Sequence, residues 1–200
     1  MVNVFHGPSV ALKILLYPMV TAAGLKRLQG QPSRFSFAFS TEELDAVVKA
    51  VQAAGCGVEL LPAELLPQAS YHEGRRQYRC LPVLDAARKK LSHAGGIRDK
   101  LLLLTDADLY EVGMNFTGGM AELGGHVAIV SAARFQSGDR EKFVGRLLKE
   151  CLHELGHLLG LEHCRDRDCV MFLSRSIADS DIKAGNFCGK CRSLLGRALG

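Results

Sequence analysis

Histidine, glutamate and cysteine side chains are concentrated in one short run of the sequence, HELGHLLGLEHC at residues 153–164. His153 and His157 are four residues apart, and His163 follows six residues later, with Gly160 between them. Imidazole nitrogens are common ligands of zinc and related metal ions. The spacing therefore indicates chemistry with a bound metal ion, rather than a helix that carries exposed histidines.

A helix over residues 153–160 would place the first two histidines on one face, because residues four apart lie one turn above each other. Glu154 would project to the side of that face, within reach of a water molecule on the metal but badly placed to ligate it. A tetrahedral zinc with an open position needs one more protein ligand. His163 supplies it if the chain turns sharply at Gly160, since glycine takes positive φ at little cost.

This pattern, H-E-x-x-H-x-x-G-x-x-H, is the metzincin signature, and its residue types match the steps of metal-assisted hydrolysis. Zinc lowers the pKa of a bound water to about 7 and polarises the carbonyl oxygen that is attacked. Glu154 takes the proton from that water, and the proton then passes to the leaving amine. The pattern therefore predicts the hydrolysis of peptide bonds.

Four cysteines in the last forty residues form two close pairs. Four residues separate Cys164 from Cys169, two separate Cys188 from Cys191, and eighteen lie between the pairs. Two close pairs joined by a loop are the arrangement in which four thiolates surround a structural zinc. Two disulfides are the alternative. Because Cys164 directly follows His163, a zinc on these cysteines would also position the third histidine.

The composition is typical of one globular domain in a reducing compartment. The chain has 200 residues, 48% of them hydrophobic, with a formal net charge of +4 and 7 cysteines. An odd cysteine count argues against a pure disulfide framework, and we interpret Cys56, Cys80 and Cys151 as buried free thiols. We recognise no signal peptide, membrane span or nucleic-acid motif. The sequence thus predicts a cytoplasmic protein without membrane or nucleic-acid partners.

The elements that must position these side chains alternate between strands and helices. Apolar runs predict strands at 12–17, 57–62, 100–105 and 126–131, and capped periodic stretches predict helices at 40–55, 81–96 and 139–160. The last of these helices carries the first two histidines. Such alternation implies an α/β (α+β) fold with a mostly parallel, twisted sheet packed by helices. The stretches 63–80 and 111–125 are predicted to be irregular or only weakly strand-like.

The last forty residues contain no long apolar run. A segment of this size cannot build its own core, so something else must hold it. We therefore expect one domain over 1–200, with an N-terminal subdomain at 1–160 and a small zinc-stapled C-terminal subdomain at 161–200.

The run HELGHLLGLEHCRDRDCVM, followed by FCGKC at 187–191, resembles the archaemetzincins. That family pairs the metzincin motif with a four-cysteine zinc site that starts directly after the third histidine. Further stretches fit the family, namely LLTDADLY (103–110), NF (115–116), VSAARF (130–135) and GRLLKECLHELGH (145–157). The resemblance covers roughly residues 100–191, whereas the first hundred residues match in general layout only.

The resemblance implies a compact zinc metallopeptidase with its active-site cleft between the two subdomains. It implies a catalytic zinc on His153, His157 and His163, a second, structural zinc on Cys164, Cys169, Cys188 and Cys191, and Glu154 as general base and acid. Met171 matches the methionine of the turn beneath the metal, where its role is packing support. Two zinc ions per chain follow from these two ligand sets.

Two positions depart from the family pattern. Phe172 stands where other metzincins place a tyrosine that acts near the metal, so the group that stabilises the oxyanion besides zinc is open. Thr117 and Gly118 stand where family members carry a bulkier apolar pair, which predicts a more flexible edge strand or a wider pocket. No pro-segment with a cysteine switch is recognised, which fits an intracellular enzyme.

We therefore predict a monomeric zinc-dependent peptidase that acts on peptides or small proteins, with aminopeptidase and endopeptidase activity both open. The rival interpretation is a catalytically weak or silent zinc-binding interaction module. Glu154 discriminates between the two, because a module that only binds has no need of a general base.

Overall fold

The computed structural model describes residues 12–21, 39–94 and 98–200. The strands are β1 (Lys13–Val20), β2 (Gly57–Leu60), β3 (Glu64–Leu65), β4 (Tyr71–His72), β5 (Gln77–Arg79), β6 (Lys100–Thr105), β7 (Leu109–Tyr110), β8 (Gly119–Ala121) and β9 (Val127–Ser131). The helices are α1 (Thr41–Ala53), α2 (Cys80–Ala94), α3 (Arg140–Leu158), α4 (Ile177–Ile182) and α5 (Gly189–Leu199), with a 3-10 turn at Gln68–Ser70.

The central sheet has the strand order β2-β1-β6-β9-β8. All neighbouring pairs in this order are parallel except β8 and β9, which are antiparallel. Strands β1, β6 and β9 are continuous apolar runs buried on both faces, as parallel strands covered by helices must be. The connection between β8 and β9 spans only residues 122–126, too short for a parallel crossover. The predicted α/β fold with a mostly parallel sheet is confirmed.

Helices cover both faces of this sheet. On one face α1 and α3 pack through side chains such as Val47, Leu147 and Leu155 against Leu102 and Val130. The other face is covered by α2 through a second apolar cluster that contains Leu84, Leu101, Leu103 and Ile129. Helix α3 thus lies directly on the sheet, so its position is fixed by core packing along most of its length.

The predicted boundaries of the long helices hold because local capping sets them. The α1 helix begins with a capping box, in which Ser40 and Glu43 bond each other's backbone N–H groups. The α3 helix begins at Asp139, whose side chain accepts a hydrogen bond from the backbone N–H of Lys142. It ends before Gly160, which has φ +85°. This positive φ is the sharp turn that the sequence predicts after the histidine pair.

The expectation for residues 63–80 is wrong. Part of this stretch forms a small second sheet of order β4-β5-β7, in which β5 pairs in parallel with residues 109 and 110. Strand β1 also extends to Val20, beyond the predicted end, because Met19 and Val20 pair with β3. Both differences arise from pairing between segments far apart in sequence, which short-range periodicity does not encode. The predicted end of the second helix at 95–96 lies outside the described residues.

All seven cysteines lie within the described ranges and are free, and Cys56, Cys80 and Cys151 are buried as expected. Among the helices of the described ranges, none combines the length and hydropathy needed to span a membrane.

Candidate active site

Three histidines meet at the C-terminal end of α3. His153 and His157 lie one turn apart, with their Nε2 atoms 3.1 Å from each other. The turn at Gly160 then brings His163 back toward them. One ring nitrogen from each of the three lies within 4.8 Å of the others, and we call this set the histidine group. The structure therefore brings together the three side chains that the motif predicts.

Backbone carbonyls orient the first two rings. His153 Nδ1 donates to the carbonyl oxygen of Val170 at 2.8 Å, and His157 Nδ1 donates to that of Leu161 at 2.7 Å. Since a carbonyl only accepts, Nδ1 carries the proton in each ring, and in the neutral ring Nε2 presents a bare lone pair. Burial lowers the pKa of all three histidines, that of His153 to about 3, and so favours the neutral form.

Two bare nitrogens 3.1 Å apart repel each other unless they share a cation. Neutral imidazoles whose Nδ1 atoms are held by carbonyl oxygens are the form in which histidine binds zinc. Two such nitrogens and a ring nitrogen of His163, with one side open to a cleft, match a catalytic zinc site. The histidine group therefore fits a zinc ion.

Glu154 lies beside the histidine group but does not belong to it. Its residue is 4% exposed, and among the described residues its Oε2 atom has no hydrogen-bond partner. Burial raises the pKa of Glu154 well above its usual range, and the neighbouring carboxylate of Glu150 raises it further. A buried carboxylate with a free acceptor atom next to a metal site is what a general base requires.

Gly119 of β8 makes room for this carboxylate. A Cβ atom built at Gly119 would lie 2.6 Å from Oε1 of Glu154, and one at Gly118 would lie 3.0 Å from Oε1 of Glu150. Side chains at these positions would displace the carboxylates or the strand. Gly118, which the sequence marks together with Thr117 as a departure from the family, and its neighbour Gly119 therefore lie close against the two carboxylates.

A cleft of about 890 Å³ opens onto the histidine group and Glu154. One wall is formed by residues 114–121, which include the edge strand β8, and the other includes residues 173–177. Residues on both sides of Gly160 thus line the same cavity. The cleft is large enough for several residues of an extended peptide.

The four C-terminal cysteines form a second group. Their Sγ atoms all lie within 4.8 Å of one another, and those of Cys164 and Cys188 are 3.9 Å apart. A tetrahedral zinc with bonds of about 2.3 Å separates its sulfur ligands by about 3.8 Å. The backbone N–H of Cys188 donates to Sγ of Cys169, and a hydrogen bond from the backbone of Cys191 lowers the pKa of Cys188. This cysteine group fits a zinc ion without an open position.

Met171 packs directly beneath α3. It is fully buried, and a Cβ atom built at Gly156 would lie 2.3 Å from its sulfur. Glycine inside a helix destabilises it by about 1 kcal/mol, so it is retained where a neighbour needs the space. This contact explains a glycine to which the sequence analysis assigns no role. Phe172 follows in a tight turn, where its N–H donates to the carbonyl of Cys169.

Among the charged residues of the cleft that sequence reasoning missed are two whose side chains are largely buried, Glu150 and Lys183. The sequence could have indicated Glu150, because this residue precedes Glu154 by one helical turn and must lie on the same face of the helix. No sequence pattern indicated Lys183, since it lies far along the chain at the C-terminal end of α4.

Comparison with known proteins identifies the family. The family model described as peptidase family M54 matches residues 83–197, more than half of the chain. An archaemetzincin from Methanopyrus kandleri is 44% identical over 134 residues, which cover 67% of this chain and 74% of that protein. One from Natronomonas pharaonis is 35% identical over 165 residues, covering 75% and 92%.

Solved structures agree with this assignment. The crystal structure of the Methanopyrus kandleri archaemetzincin has a TM-score of 0.75 and 33% identity, covering 97% of this chain and 98% of that one. The Archaeoglobus fulgidus archaemetzincin complexed with malonate has a TM-score of 0.72 and 30% identity, covering 92% and 99%. The residues that carry the motif, the α/β fold and these relatives all lead to one conclusion: the chain belongs to peptidase family M54, the archaemetzincins, and is a zinc metallopeptidase.

Proposed function

We propose that this metallopeptidase hydrolyses peptide bonds in the cleft above α3, with the histidine group as ligands of the catalytic zinc and Glu154 as general base and acid. The observation that carries this proposal is the juxtaposition of two unsatisfied groups. Among the described side chains, the buried Oε2 of Glu154 lacks a partner, and the Nε2 atoms of His153 and His157 face each other at 3.1 Å. A metal ion and a reacting water would satisfy both groups.

The edge strand β8 is the proposed docking site for the peptide backbone. An edge strand presents backbone N–H and C=O groups that can pair with an extended chain. Gly119 of β8 lies directly against the carboxylate of Glu154. A peptide bound along this strand would therefore hold its scissile carbonyl next to Glu154 and the histidine group.

Zinc, when bound, polarises the scissile carbonyl and makes water more acidic. The chain's own contribution is to move one proton. Glu154 accepts it from the attacking water at Oε2 and delivers it to the nitrogen of the leaving amine. Because burial raises the pKa of Glu154, its protonated form is a competent acid in the second step. Val170 and Leu161 hold the rings of the first two histidines throughout.

We further propose a structural zinc on the cysteine group, giving two ions per chain. This zinc would hold residues 161–200 as a C-terminal subdomain against an N-terminal subdomain of residues 1–160. Support comes from four free thiols within 4.8 Å of one another and from a cleft that is lined by both segments. In this proposal Met171 supports the first two histidines from below by packing against Gly156.

The proposed substrates are peptides or small proteins, and the proposed active form is a monomer in a reducing compartment such as the cytoplasm. The reducing compartment is supported by seven cysteines that are all free. The proposed chemistry suits both an aminopeptidase and an endopeptidase, and a cleavage profile over a mixed peptide library distinguishes them by the positions of the cut bonds.

A stepwise chelation experiment tests the proposal. Purified protein should contain two zinc ions and cleave library peptides. Mild chelation should first remove the ion of the histidine group, leaving about one zinc per chain, an unchanged circular dichroism spectrum and no activity. Stronger chelation should remove the second ion and unfold the C-terminal segment. The closed cysteine group holds zinc longer because four thiolates supply charge and a complete shell.

Activity should return when zinc is restored after the first step. One zinc or fewer in protein with intact cysteines, even after zinc is supplied, would contradict the assignment of two ions. Cleavage that survives the loss of zinc from the histidine group would contradict the assigned catalytic site.

A further inference from the structure

A lysine is buried in the wall of the active-site cleft. Lys183, the residue that ends α4, is 2% exposed and lines the same cavity as Glu154 and the histidine group. Its nearest carboxylate atom is Oε2 of Glu150 at 3.8 Å, an ion pair too long for a hydrogen bond. Within the described part of the chain its Nζ atom has no hydrogen-bond partner. Burial of an ammonium group is costly, so its place here requires a reason.

One turn of α3 fixes the end of α4 and hence Lys183. Arg146 donates two parallel hydrogen bonds to the carboxylate of Asp181, at 2.6 and 2.8 Å. Lys149 Nζ donates to the backbone carbonyls of Ser180 and Asp181 at 2.9 and 3.2 Å. Bidentate bonds of this kind fix orientation as well as distance. The position of Lys183 is therefore set by the helix that carries the active-site residues.

Lys183 lies 3.8 Å from the carboxylate of Glu150 and lines the same cavity as the carboxylate of Glu154. Glu150 and Glu154 are one turn apart, and like charges at this spacing repel each other. Burial raises the pKa of both carboxyl groups, and the charge of Lys183 opposes this rise. Burial lowers the pKa of Lys183, and both carboxylates oppose that change. Since Gly118 and Gly119 lie close against the two carboxylates, these groups have little room to move apart.

We propose that Lys183 is a positioning residue, whose ammonium is the shared counter-ion of Glu150 and Glu154 and keeps Glu154 in place beside the histidine group. The proposal rests on the proposed function in taking Glu154 as the base. Two carboxylates and one ammonium leave a single net negative charge. Without Lys183 the two carboxylates lose the ammonium group that lies nearest to Glu150, and the repulsion between them displaces Glu154.

The charge balance at these three residues can be tested with a compensating substitution. Lys183→Met leaves two net negative charges, and adding Glu150→Gln returns the set to one. The double variant should therefore recover what the single variant loses. If Lys183 instead contacted the substrate and stabilised its oxyanion, a neutral residue at position 150 could not replace the missing donor. The two roles thus give opposite results for the same double variant.

The experiment compares zinc-loaded wild type, Lys183→Met, Glu150→Gln and the double variant, using a peptide found by library cleavage. Lys183→Met should lower kcat by about 10- to 100-fold with little change in KM, and lower Tm by roughly 5–10 °C, because one partner of a buried pair is left alone. The double variant should recover about tenfold in kcat and most of the loss in Tm. Lys49→Met, at an exposed lysine of α1 that does not line the cleft, is the matched control.

Lys183→Arg retains the charge and should stay within about tenfold of wild type in kcat. If Lys183→Met does not fold, Lys183→Gln takes its place as the neutral variant, alone and together with Glu150→Gln. The proposal is overturned if Lys183→Met keeps wild-type kcat and Tm, if the double variant is no more active than Lys183→Met, or if Lys183→Arg loses as much as a neutral residue. A failure of the proposed function is distinguishable, because Glu154→Ala would then remain active whatever the result at Lys183.

Discussion

The two candidate metal groups of this chain are assembled in different ways. The histidine group takes two members from one turn of α3 and the third from just beyond its end, all within residues 153–163. The cysteine group joins a loop to the first turn of α5 across residues 170–187. The histidine group opens into a cleft of about 890 Å³, and no cysteine is among the described residues that line this cleft.

The backbone of residues 163–172 serves both groups. His163 and Cys164 are consecutive, and the N–H of Cys164 donates to the carbonyl of Met171 at 2.9 Å. Val170, between Cys169 and Met171, supplies the carbonyl that orients His153. The comparison shows that the two groups share one stretch of backbone although only one of them opens into the cleft. We therefore propose that the closed cysteine group holds the backbone that gives the open histidine group its geometry.

The largest expected effect is a loss of peptide cleavage without a loss of zinc when Glu154 is replaced. Glu154→Ala is expected to lower kcat/KM by about 10²–10⁴-fold, since the attacking water loses its proton acceptor. Zinc content should stay at the wild-type value, because Glu154 lies outside the described ligand sets. Peptide cleavage rates and metal analysis check both statements. Glu141→Ala, at an exposed glutamate of the same helix, should leave both unchanged. Loss of zinc together with activity would show that Glu154 ligates.

The next largest effect on kcat is expected when a methyl group is added to β8 at Gly119. Gly119→Ala places a Cβ atom 2.6 Å from Oε1 of Glu154, so the carboxylate or the strand must move. A shift of about 1 Å in a catalytic group lowers activity by about 10²-fold. We expect this loss in kcat with zinc still bound to both groups. Gly145→Ala, where an added Cβ meets nothing within 4 Å, is the control. Wild-type kcat in Gly119→Ala would show that the glycine is not needed for the position of Glu154.

Loss of a cysteine ligand should weaken zinc binding at the histidine group. Loss of a histidine ligand should leave zinc binding at the cysteine group unchanged. Cys164→Ser removes one thiolate and loosens the backbone that carries His163. We expect zinc to bind the histidine group about tenfold more weakly, the range seen when supporting residues around a ligand are lost. Competition with a chromophoric chelator measures this affinity. Cys56→Ser changes a buried cysteine outside the group and serves as control. Normal affinity at the histidine group in Cys164→Ser would refute the coupling between the two groups.

The smallest expected effect is a loss of thermal stability at low pH that comes from the histidine group. Burial lowers the pKa of His153 to about 3, against about 6.5 in an unfolded chain. Between these values the unfolded state binds more protons, so the free energy of unfolding falls as the pH falls. With the histidine group emptied by mild chelation, Tm should therefore drop between pH 7 and pH 5. In His153→Gln the drop should be smaller by about 3–6 °C.

Thermal unfolding followed by circular dichroism at both pH values measures this difference. His126→Gln, at an exposed histidine, should show the wild-type drop. An equal drop in His153→Gln would mean that the buried ring does not link folding to protons.

The sequence alone was sufficient for features that depend on neighbouring residues. Helical periodicity places His153 and His157 on one face, Gly160 allows the following turn, and capping at Ser40 and Asp139 sets where helices begin. Continuous apolar runs predict the central parallel strands, because strands covered on both sides expose neither face to water. The zinc peptidase family follows from these local patterns, since its motif lies almost entirely within one helix and the turn after it.

Tertiary structure alone decided which distant segments touch this motif. Lys183 lies beside Glu150, although the end of α3, a long loop and the whole of α4 separate them in the chain. Gly119 lies against Glu154 because β8 forms the edge of the sheet next to α3. Val170 orients His153 because the segment after α3 returns to the helix and brings its carbonyl to the ring. The physical reason is that periodicity records which face of an element is apolar. It does not record which partner covers that face, and long-range packing settles that choice.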